Sequence, residues 1–205
     1  MSSKQEIILL GAGGHCKSCI EVILGQSRYS ILGIIDKDDS DTKNLLEYDI
    51  LGTDKDLESF IKRCSNVLIT IGQIKSPELR VSLFDRAKSL GFNFPVIESQ
   101  FSYISKSAQI GEGTILLHDS LVNTSVKVGV NCIINTKALV EHDAEIGSHC
   151  HVSTGAIING GVNVECRCFI GSGVIIHEGV TIGAGSIISA GQVIRDDVPS
   201  NSLVK

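Results

Sequence analysis

Tryptophan is absent from the 205 residues, methionine occurs once, proline three times, and aromatic side chains make up only 4% of the chain. A core must therefore be assembled from Ile, Val, Leu and small residues, a composition that favours sheets and stacked repeats. Long apolar runs are also missing. None approaches the roughly 18 residues of a membrane-spanning helix, and the opening MSSKQEIILLGAGG lacks the basic region, apolar run and cleavage site of a secretion signal, so a cytoplasmic protein is expected. Positive charge is scarce: Lys and Arg number 18 against 23 Asp and Glu, the net charge is −5, and no basic cluster is present. That balance excludes the electrostatic footprint of a nucleic-acid binder. Seven cysteines (Cys16, Cys19, Cys64, Cys132, Cys150, Cys166 and Cys168), an odd number without a secretion signal, point to reduced thiols and not to a disulfide framework. What is plentiful is aliphatic surface and glycine: 42% of residues are hydrophobic and 21 are Gly. Wholesale disorder is excluded, and the length suits one large domain or two small ones.

Charge divides the chain. Residues 1–98 hold 26 of the 41 acidic and basic residues, and the character changes near Phe94-Pro95. We take 1–98 and 99–205 as two domains. In the first, the apolar run Ile7 to Leu10 ends in Gly11-Ala12-Gly13-Gly14, a helix-compatible stretch runs to about Gly25, and a second apolar run, Ile31 to Ile35, ends at Asp36. A third run spans Val67 to Ile71, helical spacing covers Pro77 to Leu90, and a short strand is expected from Phe92 to Ile97. The pattern predicts a small, Rossmann-like parallel α/β domain.

The second half repeats. Steps of six from Ile104 reach Ile194 through sixteen consecutive aliphatic residues, with Gly directly after the aliphatic at 111, 129, 147, 171 and 183. Each hexapeptide is one short strand plus a turn. Three of them close a triangular coil of eighteen residues, and the coils stack into a parallel β-helix with the aliphatics inside. Cys132, Cys150 and Cys168 are eighteen apart, so they stack as small interior residues and need no chemistry.

Five of the six histidines, His118, His142, His149, His151 and His177, lie in this half. The run Glu141-His142-Asp143 through His149-Cys150-His151 gathers three of them with acidic residues. A metal centre is one reading, but zinc needs three or four convergent ligands and Cys150 belongs to the interior. The other is general-base chemistry. A neutral imidazole needs a partner that fixes its tautomer, and Asp143 serves His142 only if the pair sits at a corner, since strand neighbours point to opposite faces; Glu141 or a residue one coil away is the alternative. In the first half, Gly13 and Gly14 open a helix whose N-terminus suits a phosphate, and Asp36 can accept from a ribose or base. Cys16 stands where the dinucleotide fingerprint wants glycine, which argues against NAD; a plain tight turn also explains the glycines.

Together, Gly11-Ala12-Gly13-Gly14-His15, Ile34-Ile35-Asp36, the hexapeptide array and Asn135-Thr136 through Val140-Glu141-His142-Asp143 resemble the NeuD/PglD-type sugar O- and N-acetyltransferases. The resemblance spans nearly the whole chain. It implies a left-handed β-helix, a homotrimer with active sites between neighbouring helices, and acetyl-CoA as cosubstrate without a metal. It further implies His142 as the general base with Asp143 as its partner, His151 and the Gly160 amide as acetyl-CoA-binding groups, and Gly13, Gly14, His15 and Asp36 as the cradle of a sugar or nucleotide-sugar acceptor. The activity so implied is N-acetylation of a UDP-4-amino-4,6-dideoxy sugar. Sialic acid O-acetylation is the alternative within the family, and a non-catalytic trimeric scaffold the alternative outside it.

Overall fold

In the computed structural model, which describes residues 4–37 and 43–205, Ile7, Ile8, Leu9 and Leu10 are all buried, because strand β1 (Gln5–Leu10) has both faces covered. Such unbroken apolar runs are what a central parallel strand requires. Around it lie β2 (Tyr29–Asp36), β3 (Asn44–Leu45), β4 (Tyr48–Thr53) and β5 (Val67–Ile69), in the order β3-β4-β2-β1-β5. All pairs are parallel except β3–β4. Ile7 and Leu9 pack under helix α1 (Gly14–Gln26), against Cys16, Cys19, Ile20 and Ile23. Ile8 and Leu10 face the other way and meet Leu57 from the one-turn helix α2 (Leu57–Phe60) and Leu83, Phe84 and Ala87 from α3 (Glu78–Ser89). The apolar runs and helical stretches read from the sequence thus form as expected, with β3–β4 as an added antiparallel edge.

One expected element differs. Phe92 to Ile97 is not a strand of this sheet: Asn93 makes a single bridge to Asn66, while Ile97–Glu98 pairs with Ile115–Leu116 and is the first rung of the second half. Phe92 and Phe94 point into the α3 side of the first core instead. Their apolar character reflects packing and not strand pairing.

From Ile97 onward the chain is a left-handed parallel β-helix with three faces. The first face runs in seven two-residue rungs from Ile97–Glu98 to Leu203–Val204, the second in six from Tyr103–Ile104 to Val193–Ile194, and the third in five from Gln109–Ile110 to Thr181–Ile182. From the Tyr103–Ile104 rung onward the second residue of each rung points inward, and these aliphatics form one continuous core with the small residues Cys132, Ala138, Ala144, Cys150, Ala156 and Cys168. The stacked thiols donate to backbone carbonyls: Cys132 Sγ to Gly147 at 3.1 Å and Cys150 Sγ to Glu165 at 3.0 Å. At each turn from Gly113 to Gly191, Asp119, Asp143 and His149 among them, the third residue after the inward aliphatic has a positive φ.

The outward residues give each face its character. On the first, Ile97, Ile115 and Ile133 are buried under the N-terminal domain in the α1 core. The third is polar: Gln109, Lys127, Glu145, Asn163 and Thr181. The second carries Tyr103, Leu121, Leu139, Ile157, Ile175 and Val193, an apolar stripe with its two ends exposed at 60% and 41%. Among the described residues no helix is long and apolar enough to cross a membrane.

Candidate active site

The corner between the second and third faces holds His142. Asp143, the next residue, adopts φ 60°, a left-handed conformation that aspartate tolerates better than most side chains. This bend brings its carboxylate beside its neighbour's ring, with Asp143 Oδ2 2.9 Å from His142 Nδ1. The corner that the sequence reading required is therefore present. With Nδ1–H donating to the carboxylate, Nε2 is left with a free lone pair. Glu141 acts on the backbone instead. Its Oε2 accepts from the His142 backbone N–H at 3.3 Å and from Asn123 Nδ2 at 2.7 Å, holding the turn from one coil below.

One coil above His142 stands Gly160. A β-carbon there would lie 2.7 Å from His142 Cε1 and 2.8 Å from Nε2, so only glycine leaves the imidazole its place. Its backbone N–H, among the described residues, donates to no protein group. At the corresponding turns below, side chains occupy this donor: Asn123 Oδ1 accepts from Thr124 N–H at 2.8 Å, and Glu141 does so for His142. The corner thus offers an imidazole lone pair and an open amide donor side by side, the two groups that acyl transfer demands.

The remaining residues singled out in the sequence gather elsewhere. Gly13, Gly14, His15, Asp36 and His151 line one cavity of about 870 Å³ between the N-terminal domain and the first face, together with Gln73, Asn135, Ser153 and Ser172. Helix α1 opens into it from Gly13 with no side-chain cap and no acidic residue in its first turn, leaving its N–H groups for an anion. Asp36 Oδ1 accepts from Ala12 N–H at 3.2 Å, which fixes the carboxylate at the cavity edge.

His151 lies on the first face, on the cavity wall and away from the His142 corner. Its hydrogen bonds are complete: Thr136 N–H donates to Asn135 Oδ1 at 2.7 Å, Asn135 Nδ2 to His151 Nε2 at 3.0 Å, and His151 Nδ1 to the Gln73 carbonyl at 2.6 Å. Burial pushes its pKa down to about 4. His15, whose ring centroid is 6.4 Å away, is pushed down to about 3 by burial, then by Arg80 and His151. Both imidazoles are neutral at pH 7 and form part of the cavity wall.

His149 and His151 do not converge. His149 is at a turn of φ 60°, edge-on to Phe84 at 5.5 Å, with Nδ1 accepting from Asn131. His118 bonds Ser99 Oγ at 2.6 Å. Sequence reasoning missed Gln73 and Arg80, which join the cavity loop to the helix; a lone polar residue after an apolar strand carries no signal of such a contact.

Known proteins share this fold. Residues 6–87 match the model of the PglD N-terminal domain family. A perosamine N-acetyltransferase from Caulobacter crescentus, whose structures hold CoA and GDP-perosamine, superposes with a TM-score of 0.90 at 30% identity, covering 98% of this chain and 93% of that one. Two of those structures carry a histidine replaced by asparagine or alanine. The acetyltransferase domain of PglB from Neisseria gonorrhoeae, also solved with acetyl coenzyme A, gives a TM-score of 0.90 at 27% identity, covering 98% and 96%. WeeI from Acinetobacter baumannii gives 0.84 at 25%, covering 98% and 97%. Among curated protein sequences none matches.

Proposed function

The chain belongs to the NeuD/PglD-type family of acetyl-CoA-dependent sugar acetyltransferases, and from that membership we propose that it acetylates the amino group of a nucleotide-linked 4-amino-4,6-dideoxy sugar. The observation that carries this reading is the corner of His142, Asp143 and Gly160. His142 Nε2 takes the proton from the acceptor amine as its nitrogen bonds the acetyl carbon, while Asp143 holds the ring in the tautomer that can accept. The Gly160 N–H donates to the carbonyl oxygen as that oxygen gains charge. The C–N bond forms, the C–S bond breaks, and His142 returns the proton to the departing sulfur. Acetyl-CoA supplies the acetyl group as a thioester. Glycine at 160 leaves room for the His142 ring, and the Gly160 N–H beside that ring stays open to the thioester carbonyl.

The acceptor cavity and the His142 corner are at different edges of one subunit, which supports a homotrimer. The apolar stripe of the second face is a surface that association would cover. In a threefold assembly through that face, the second–third corner of one copy abuts the first–second corner of the next. Asn135, Ser153 and Ser172 stand at that first–second corner and line the cavity, so His142 would reach the acceptor held by its neighbour.

For the carrier we infer UDP, with the glycine loop and Asp36 as its cradle. The GDP-perosamine bound by the Caulobacter relative makes GDP the second reading. The test is release of coenzyme A thiol from acetyl-CoA in parallel reactions with a UDP-4-amino-4,6-dideoxy sugar, GDP-perosamine and sialic acid. Turnover with a nucleotide-linked amino sugar is expected, falling at least roughly a hundredfold in His142→Ala. Turnover with sialic acid alone, or undiminished turnover in that variant, would refute the reading.

A further inference from the structure

Among the described residues the largest fully buried side chain is a charged one, Arg80 of α3, and the reaction above gives it no role. Its Nη1 donates to the carbonyls of Ile69 at 3.2 Å and Ile71 at 2.5 Å. Its Nη2 donates to the Asn131 carbonyl at 3.0 Å and to Asn131 Oδ1 at 2.7 Å. All these acceptors are neutral, and its Nε has no partner. Among the described residues no carboxylate lies within ion-pair reach of it. An unpaired buried charge is expensive to keep, and tethering alone could be done by a neutral amide donor.

Its surroundings show what the charge faces. Ile71 belongs to the loop that walls the acceptor cavity, and Asn131 is at a turn of the β-helix, so the guanidinium joins the two domains behind that wall. Its field reaches both cavity histidines, where it opposes protonation. The uncapped N-terminus of α1 opens on the same cavity, with no acidic residue in its first turn. Two fixed sources of positive potential thus act on one space, whose lining also carries Lys37, Lys75 and the Asp36 carboxylate held on the Ala12 N–H.

We propose that Arg80 is a positioning residue whose counter-charge is the diphosphate of the acceptor, attracted through the cavity wall without contact. The proposal rests on the nucleotide-linked acceptor inferred above. It predicts a dependence on ligand charge that a packing role would not produce. Calorimetric affinities of UDP, GDP, uridine and guanosine are measured for the full-length protein and for Arg80→Gln, Arg80→Lys and Asn131→Ala. In Arg80→Gln the preference for diphosphate over nucleoside falls about tenfold, the size of one partly screened charge–charge attraction. The KM for the acceptor rises likewise, with kcat and the KM for acetyl-CoA little changed. Arg80→Lys keeps the charge and the preference while losing thermal stability, and Asn131→Ala does the same by removing one anchor.

Equal weakening of nucleoside and diphosphate in Arg80→Gln, or no weakening, would make Arg80 a tether only and overturn the proposal. If Arg80→Gln does not fold, Arg80→Lys decides, because loss of the preference with the charge retained overturns it equally. A wild-type protein that binds neither diphosphate more tightly than its nucleoside would instead remove the nucleotide acceptor itself.

Discussion

Replacing Gly160 by alanine separates activity from stability in opposite directions. The added methyl carbon would start 2.7 Å from His142 Cε1 and 2.8 Å from Nε2, whereas carbon atoms settle at ~3.5 Å or more. One of the two must retreat by several tenths of an ångström. The methyl is fixed to the backbone of a stacked coil, while the imidazole is the mobile end of a side chain that is 62% exposed, so the ring moves. Stability hardly suffers. Position 160 is outside the positive-φ region, and alanine there restricts the unfolded chain, worth about 0.4–1 kcal/mol in favour of folding. For a chain of this size that is a rise of ~1–3 °C in melting temperature. Catalysis suffers greatly, because a displacement approaching ~1 Å in a catalytic group can cost about a hundredfold. The alanine N–H is still in place, so the loss reports on His142 and not on the amide. We expect kcat to fall at least ~10-fold in the coenzyme A release assay while scanning calorimetry shows an unchanged or higher transition. Wild-type turnover would refute the claim that His142 acts from this position; a lower melting temperature would refute the assignment of the strain to the side chain.

Three further outcomes are expected. Asp143→Asn removes the carboxylate that accepts from His142 Nδ1 at 2.9 Å, and kcat should drop about tenfold or more, with acetyl-CoA binding by calorimetry unaltered. His15 and His151 have folded-state pKa values near 3 and 4 but titrate near ~6.5 when unfolded, so the unfolded chain binds more protons between those values and stability must fall as pH drops from about 6.5 toward 3. Urea midpoints at neutral and acidic pH should differ by energies on the order of 3 kcal/mol per histidine, and His151→Gln should shrink the difference; an unchanged difference would contradict the neutral wall. On the proposed homotrimer, Ile157→Asp in the centre of the second-face stripe should yield monomers in sedimentation and abolish turnover, whereas Asn163→Asp on the third face should do neither.

Much of this was legible because the β-helix writes its geometry in sequence period. Every inward position from Leu116 to Ile194 follows from steps of six, and the burial of Cys132, Cys150 and Cys168 follows from steps of eighteen. His142 and Gly160 are also eighteen apart and so one coil apart, although Gly160 entered the sequence reading only through the family resemblance. Element boundaries also read well: Gly13 and Gly14 stand at the start of α1, and Asp36 ends β2. Three things lay beyond such reasoning. The approach of Asp143 to its neighbour depends on a left-handed turn that the residue pair alone does not dictate. Phe92 and Phe94 looked like a strand because apolar alternation does not distinguish pairing from side-chain packing. The contacts of Gln73 and Arg80 span 78 and 51 residues of sequence, and no local pattern encodes an interface between two domains.

The close stacking of coils has a consequence for how such a chain can change in length. A β-carbon on Gly129 would meet the Ser148 backbone at 2.5 Å, and one on Gly147 would meet that of Cys166 at the same distance, so neighbouring coils leave no slack. An inserted or deleted residue within a rung would turn every later aliphatic outward and carry Gly160 off its column above His142. Whole coils, by contrast, can enter or leave above or below that pair without disturbing it. The prism therefore behaves as a ruler marked in units of eighteen.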